Sequence, residues 1–281
     1  MTAMDLQPAA TAAAPGLKSA DYHPSMSLLI IDAMNVIRRI HEAIPAPDSE
    51  EKMADTLQSS LRSFKRARNT HRPTHAVAVF DHGGRTWKHA LYAGYQAHRK
   101  PMPDHLRAGL LSIKQELQDM GLPWISIEGI EADDAIAALV EKWCQARAER
   151  AIILSTDKDF LQLLSDQVCI YDHFKDVWRD AAYVQQKFGV KPAQMGDLLA
   201  LMGDAVDGIP GVDKVGSKTA ATLLRINGNL ERVISNADKV AGQVGANLRK
   251  GIEMARLSRQ LVSFKTDIPL GLTWRMLAQS D

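Results

Sequence analysis

Apolar residues follow two alternating patterns along this chain. Short continuous runs occur at 27–32, 75–80, 124–127 and 151–155, and runs of that length read as buried strands. Between them, apolar residues recur at helical spacing. The stretch 53–68 carries Leu57, Leu61 and Phe64 on one face, and 103–120 carries Leu106, Leu110, Ile113 and Leu117. Further helices are expected at 132–148 and, as a short element, near 159–164. Such alternation predicts a parallel sheet covered by helices. From about residue 181 no strand pattern is visible, and the sequence reads as helices separated by Gly-rich turns. The expected organisation is an α/β core over 27–180 followed by a helical region over 181–281. Residues 2–24 are rich in Ala and Pro, without a charged start followed by an apolar core. The stretch 1–26 therefore reads as a disordered leader and not as a signal peptide.

Composition narrows the class. The 281 residues are 46% hydrophobic, enough for a substantial core, and 24% charged, close to an ordinary globular protein. A formal net charge of +1 excludes a uniformly basic surface, although acids gathered at one site would mask basic patches elsewhere. The only two cysteines, Cys144 and Cys169, argue against a disulfide framework and fit a reducing compartment. No run approaches the roughly 18 apolar residues of a membrane span, so no membrane partner is expected.

The acids carry the chemistry. Asp32 ends the first strand run and Asp81 follows the second. The cluster Glu131-Ala-Asp133-Asp134 follows the third, and Asp157 and Asp159 follow the fourth. Ligands of open parallel sheets bind beyond the carboxyl ends of the strands, so four strands should deliver acids to one edge. Crowded carboxylates repel one another and call for cations between them. An all-oxygen set suits Mg²⁺, with Mn²⁺ as substitute, better than zinc. Helix capping is the simpler account of acids at 131–134, but three acids in four positions exceed that need. Asp32 and Asp81, taken singly, would be ordinary turn residues.

Residues 203–218 combine Asp204 and Asp207 with a Gly-rich turn. Glycines there bare backbone amides while Lys214 and Lys218 add charge, a combination that can hold a DNA phosphate. A plain helix–turn–helix corner is the alternative. Carbonyls of Ile209, Val212 and Val215 in the same turn are candidates for a monovalent cation. The connection 81–102 is long, basic and aromatic, and such connections are often functional. The series Arg62, Lys65, Arg66 and Arg68 reads as a solvated face.

Taken together, these motifs resemble the flap endonuclease family, most closely the 5′-nuclease domain of bacterial DNA polymerase I and its stand-alone relative exonuclease IX. The matching stretches are Leu29-Ile-Ile-Asp32, Val79-Phe-Asp81, Gly94-Tyr-Gln-Ala-His-Arg99, Gly129-Ile-Glu-Ala-Asp-Asp134, Ser155-Thr-Asp-Lys-Asp159 and residues 203–218. The resemblance implies a PIN-like α/β fold with a helical arch over about 83–106, then a helix–three-turn–helix motif that grips duplex DNA around a K⁺ ion. It implies a two-metal nuclease acting at single-strand/double-strand junctions. Asp32, Asp81, Glu131, Asp133 and Asp134 would surround one metal, and Asp157, Asp159, Asp204 and Asp207 the other. Tyr95, Gln96, Arg99, Gly208, Gly211, Lys214, Gly216 and Lys218 would meet DNA. Tyr95 would stack on a base or pack as a buried aromatic. Gln96 stands where the family has Lys, the contact to the scissile phosphate. Arg99 matches the family's second basic residue, and Lys88 or Lys100 could supply the missing charge. The expected substrates are DNA with a 5′ flap or junction, RNA-primed forms included, cut by a cytoplasmic, nucleoid-associated monomer. Two rivals are a DNA-junction binding protein with slow cleavage and an RNA-cleaving PIN-domain enzyme.

Overall fold

The computed structural model describes residues 27–147 and 149–279; the leader expected at 1–26 lies outside them. Five parallel strands build the sheet: β1 (Ser27–Asp32), β2 (His75–Val79), β3 (Trp124–Ile125), β4 (Arg150–Leu154) and β5 (Val168–Asp172). An antiparallel strand, β6 (Val177–Arg179), closes one edge, and the order is β3-β2-β1-β4-β5-β6. The chain thus leaves β1 in one direction and returns on its other side at β4. The ends of β1 and β4 flank a topological switch point, where ligands of such sheets collect.

Alternation along the continuous apolar strands supplies two cores. Leu28, Ile30, Val77, Val79 and Ile153 face one side, and Leu29, Ile31, Ala76, Ala78 and Leu154 face the other. The second side is covered by α1 (Ala33–Ala43), α2 (Glu50–His71) and α4 (Asp104–Asp119). The short α3 (Trp87–Leu91) lies in the connection between β2 and α4. The first side is covered by α5 (Ala132–Arg147) together with later helices. These are α6 (Ala181–Phe188), α7 (Met195–Met202), α8 (Ser217–Asn227), α9 (Leu230–Ser235), α10 (Gly242–Lys250), α11 (Ile252–Leu261) and α12 (Trp274–Leu277). Leu139 of α5, Leu198 of α7 and Leu248 of α10 belong to one continuous apolar cluster. The helical region therefore shares its core with the sheet.

Three elements were not legible in advance. Helix α1 starts directly at the end of β1, with Asp32 as its N-cap accepting from the Asn35 N–H at 3.1 Å. No turn separates strand from helix, so no break marks it. Strands β5 and β6 are joined by a tight turn in which Asp172 Oδ1 accepts the N–H groups of Phe174 and Lys175. They form a hairpin over a stretch for which the sequence pattern predicted no element.

Candidate metal and nucleic-acid site

The acids do meet at the carboxyl edge of the sheet, and most are fastened there by hydrogen bonds. Asp32 is buried; besides capping α1 it accepts the Ser155 hydroxyl at 2.8 Å, across the switch point between β1 and β4. Asp81, exposed beyond β2, accepts the Ala132 N–H at 2.9 Å and so ties that strand to the start of α5. Asp157 Oδ1 accepts the Asp159 N–H at 2.9 Å. Capping and clustering are therefore one arrangement: the same carboxylates hold the loop ends and face one another.

Their pKa values record that crowding. Burial, with Asp157 and Asp81 adding repulsion against hydrogen bonds from Ser155 and Asn35, pushes Asp32 up to about 7. Asp133 is raised well above the carboxylate range by burial and then by Asp157, with Asp32 and Asp81 behind. Asp159 is raised by burial, Asp157, Asp207 and Asp204. Asp207 is raised by burial, with Asp204 and Asp157 adding to it against Arg99.

Three cations offset part of this charge. The Lys88 ammonium lies 3.0 Å from Glu131 Oε2, Arg99 NH2 lies 2.5 Å from Asp207 Oδ1, and the Lys158 ammonium lies 2.6 Å from Asp204 Oδ2. Among the described residues, no three acidic, His or Cys side chains already converge on a point as a closed metal cage would. The donor set nevertheless fits a divalent cation. It is all oxygen, it is mutually repelling, and Asp159 Oδ1 is buried with no hydrogen-bond partner.

Several expected site residues are engaged with other parts of the chain. Asp134 is fully buried; Oδ2 accepts the Trp87 indole N–H at 2.6 Å and Oδ1 the Lys265 backbone N–H at 2.8 Å. Each oxygen thus accepts one neutral donor, from the 83–103 connection and from the segment after α11. Lys88 is 3% exposed and pinned to Glu131, so it is not free to meet a phosphate in place of Gln96. Tyr95, also 3% exposed, donates its hydroxyl to Glu131 at 3.0 Å and packs with Leu199, Ile209 and Leu261, which leaves no face for a base. With the Thr86 hydroxyl donating at 2.8 Å, Glu131 has three partners. Burial works to raise its pKa, but the Lys88 charge and these bonds outweigh that and hold it below the usual carboxylate value.

The Gly-rich turn divides in the same way. Gly208, at φ +66°, lies so close to the Gly94 carbonyl that a Cβ would sit 2.3 Å from that oxygen. Its glycine serves this close approach of two backbones. Beside it the Gln96 N–H donates to the Asp207 carbonyl at 2.8 Å. The Gly211 N–H donates to the Ser258 hydroxyl at 3.0 Å and is not available to DNA. The Ile209 carbonyl accepts the Asp204 N–H, and the Val212 carbonyl accepts the Val215 N–H. Lys214, Gly216 and Lys218 are exposed, and α8 begins behind Gly216 with no side-chain cap. Its first-turn amides are open, a ready site for an anion.

The connection 83–103 is not a free-standing arch. Thr86, Trp87, Lys88, Tyr95, Gln96 and Arg99 fasten it to Glu131, Asp134 and Asp207. Sequence reasoning missed Thr86, Trp87 and Ser155, whose partners lie 45, 47 and 123 residues away. Only Ser155 carried a signal, its place at a strand end beside Asp157.

An α/β sheet with carboxylates at its carboxyl edge, next to an uncapped helix start flanked by lysines, defines a class: the nucleases that act on phosphodiesters with divalent metal. Within it, the chain belongs to the 5′–3′ exonuclease family. Residues 27–189 match the family's N-terminal resolvase-like domain and residues 190–281 its C-terminal SAM fold. Among curated relatives, the flap endonuclease Xni of Vibrio cholerae is 40% identical over 249 residues, covering 88% of this chain and 94% of that protein. Its namesake from Shewanella oneidensis is 38% identical over 247 residues, covering 88% and 93%. Among solved structures, the 5′-exonuclease of T5 with bound zinc superposes with a TM-score of 0.73 at 22% identity, covering 85% of this chain and 90% of that one. The T5 flap endonuclease in a pseudo-enzyme-product complex with DNA and metal ions gives 0.69, also at 22% identity and with the same coverage. At that identity these two likenesses concern the fold.

Proposed function

We propose that this protein is a structure-specific 5′ nuclease that hydrolyses DNA phosphodiesters at single-strand/double-strand junctions, 5′ flaps among them. The observation that carries this reading is the gathering of Asp32, Asp81, Asp133, Asp157, Asp159, Asp204 and Asp207 at one sheet edge, where burial and neighbouring carboxylates raise the pKa values of Asp32, Asp133, Asp159 and Asp207 and one Asp159 oxygen is orphaned. Asp32, Asp81 and Asp133 would hold one divalent ion, with Glu131 beside them. Asp157, Asp159, Asp204 and Asp207 would hold a second. Bound Mg²⁺ or Mn²⁺ supplies an acidified water and charge stabilisation for the leaving 3′-oxygen. Arg99 reaches the edge from the 83–103 connection with its side chain 43% exposed and can neutralise a phosphate oxygen. Lys214, Gly216, Lys218 and the open amides of α8 would take the duplex backbone. A K⁺ ion in this turn would draw on Val215 and share the Ile209 and Val212 carbonyls, each of which has a second lone pair. Both cysteines are free thiols, and no described helix is long and apolar enough to cross a membrane. We place the protein in the cytoplasm, at the nucleoid, as a monomer that also takes RNA-primed junctions.

The decisive experiment is incubation of the full chain with a 5′-flap duplex. Cleavage is expected with Mg²⁺ or Mn²⁺, none in EDTA, and binding without cleavage in Ca²⁺. Cleavage in EDTA would remove the metal mechanism. Tight flap binding with no cleavage in either Mg²⁺ or Mn²⁺ would leave the junction-binding protein instead. Gln96 is the observation that favours this second reading, because Lys88 does not replace the missing charge.

Two further results are expected. Lys218→Ala should weaken duplex binding similarly for all sequences and reduce the slope of affinity against salt by about one, as loss of one phosphate contact does. An unchanged slope would remove Lys218 from the interface. Gln96→Lys should raise single-turnover cleavage by about tenfold or more, since charge-assisted hydrogen bonds are roughly twice as strong as neutral ones. Gln96 Nε2 already reaches the Tyr95 hydroxyl at 3.0 Å, so the position adjoins the acid edge. A rate at or below that of the unchanged protein would show that Asp207 had captured the new ammonium, as it does Arg99.

A further inference from the structure

Lys158 stands between two edge acids in sequence, yet its side chain reaches a third. From the end of β4, between Asp157 and Asp159, its ammonium extends to Asp204 Oδ2 at 2.6 Å, on the connection between α7 and α8. The other Asp204 oxygen accepts the Val206 N–H at 3.0 Å, so both oxygens of this buried carboxylate are engaged. Neighbouring Asp159 Oδ1 is buried with no donor at all. One singly charged group therefore sits among Asp157, Asp159 and Asp204, with Asp207 close to Asp159. A divalent ion entering this group needs carboxylate oxygens as direct ligands and meets the ammonium in competition for Asp204. The ammonium is able to yield. Its side chain is 32% exposed and its stem is flexible, whereas the Lys88 side chain is enclosed at 4%.

We propose that Lys158 is a resident counter-cation of this acid group, holding Asp204 in the metal-free protein and released from it when a divalent ion binds. The inference rests on the metal-site reading above. Lys158 acts through Asp204 and is a positioning residue. Its presence makes metal uptake an exchange of one cation for another, and so lowers the affinity for the ion that replaces it.

The test is a Mn²⁺ titration of the full chain, with free ion followed by electron paramagnetic resonance, on the unchanged protein, Lys158→Met and Lys158→Arg. Removing one positive charge from among the carboxylates is expected to tighten Mn²⁺ binding about tenfold or more, while Lys158→Arg stays near the unchanged protein. Equal or weaker binding by folded Lys158→Met overturns the inference. Should Lys158→Met fail to fold, the unchanged protein labelled at lysine Cε answers instead, its Lys158 signal assigned by its absence from Lys158→Arg. Mg²⁺ is expected to move that signal to the position of an exposed lysine, and a signal that stays in place overturns the inference. If the unchanged protein takes up no Mn²⁺, the metal-site reading fails and this inference with it. Uptake with equal affinity in all three proteins overturns this inference alone.

Discussion

Asp133→Asn is expected to lower Mg²⁺-dependent flap cleavage by roughly 10²-fold or more, the scale on which losing one preorganised electrostatic group acts. The same change should leave flap binding in Ca²⁺ intact and raise the melting temperature in EDTA. The reason is that Asp133 faces Asp157, Asp32 and Asp81, and an amide of the same shape removes like-charge repulsion from that edge. The adjacent Asp134→Asn should behave in the opposite sense. Its two oxygens accept from the Trp87 indole and the Lys265 amide. An Asn there turns its NH₂ toward one of these donors and leaves a buried donor unsatisfied, at a cost of about 1–3 kcal/mol. Single-turnover rates and melting curves on the two variants separate the roles. If Asp134→Asn were as stable as the unchanged protein and equally inactive as Asp133→Asn, Asp134 would belong with the metal ligands after all.

The second large effect is on stability against pH in the absence of metal. The folded pKa of Asp32 is about 7, against an ordinary 3.8. Between those values the folded protein binds a proton at Asp32 that the unfolded chain has released. Stability therefore falls as pH rises through this window, and the loss is complete once the pH passes the folded value. At 1.36 kcal/mol per unit, Asp32 alone accounts for a loss on the order of 4 kcal/mol. Asp133, Asp159 and Asp207, raised as well, act in the same direction. In EDTA the melting temperature is thus expected to be higher at pH 5 than at pH 7.5. Mg²⁺ should reverse the trend, because ligand carboxylates bind metal only when ionised, and the stabilisation grows with affinity. Paired melting curves in EDTA and Mg²⁺ across pH 5–8 check both halves. A metal-free melting temperature that rises over this range would mean that these acids are not crowded.

Much of the architecture was legible because it rests on short-range pattern. Continuous apolar runs marked β1, β2 and β4, helical spacing marked α2, α4 and α5, and acids at strand ends marked the edge where chemistry collects. Each of these signals lies within one element, where period and neighbouring residues decide conformation. The family resemblance ordered the motifs and so brought Asp204 and Asp207, on a helical turn, to the same edge as Asp32 on a strand.

Which polar group meets which was decided only in three dimensions. Asp133 and Asp134 are adjacent and chemically identical, but they leave α5 about 100° apart, one toward the acid edge and the other toward Trp87. Tyr95 read as a base-stacking or a packed aromatic and Lys88 as a substitute for the charge missing at Gln96; folding turned both inward onto Glu131. Gly208 and Gly211 read as bared amides, while packing placed one against Gly94 and engaged the other with Ser258. The apolar pattern along the chain specifies the backbone, because burial depends on each residue's own surface. A carboxylate's role depends on which donors reach it, and those donors come from segments 45 to 131 residues away. No local pattern carries that distance, so the sequence alone determined where the acids gather, and only the tertiary structure decided which of them remain open to a cation.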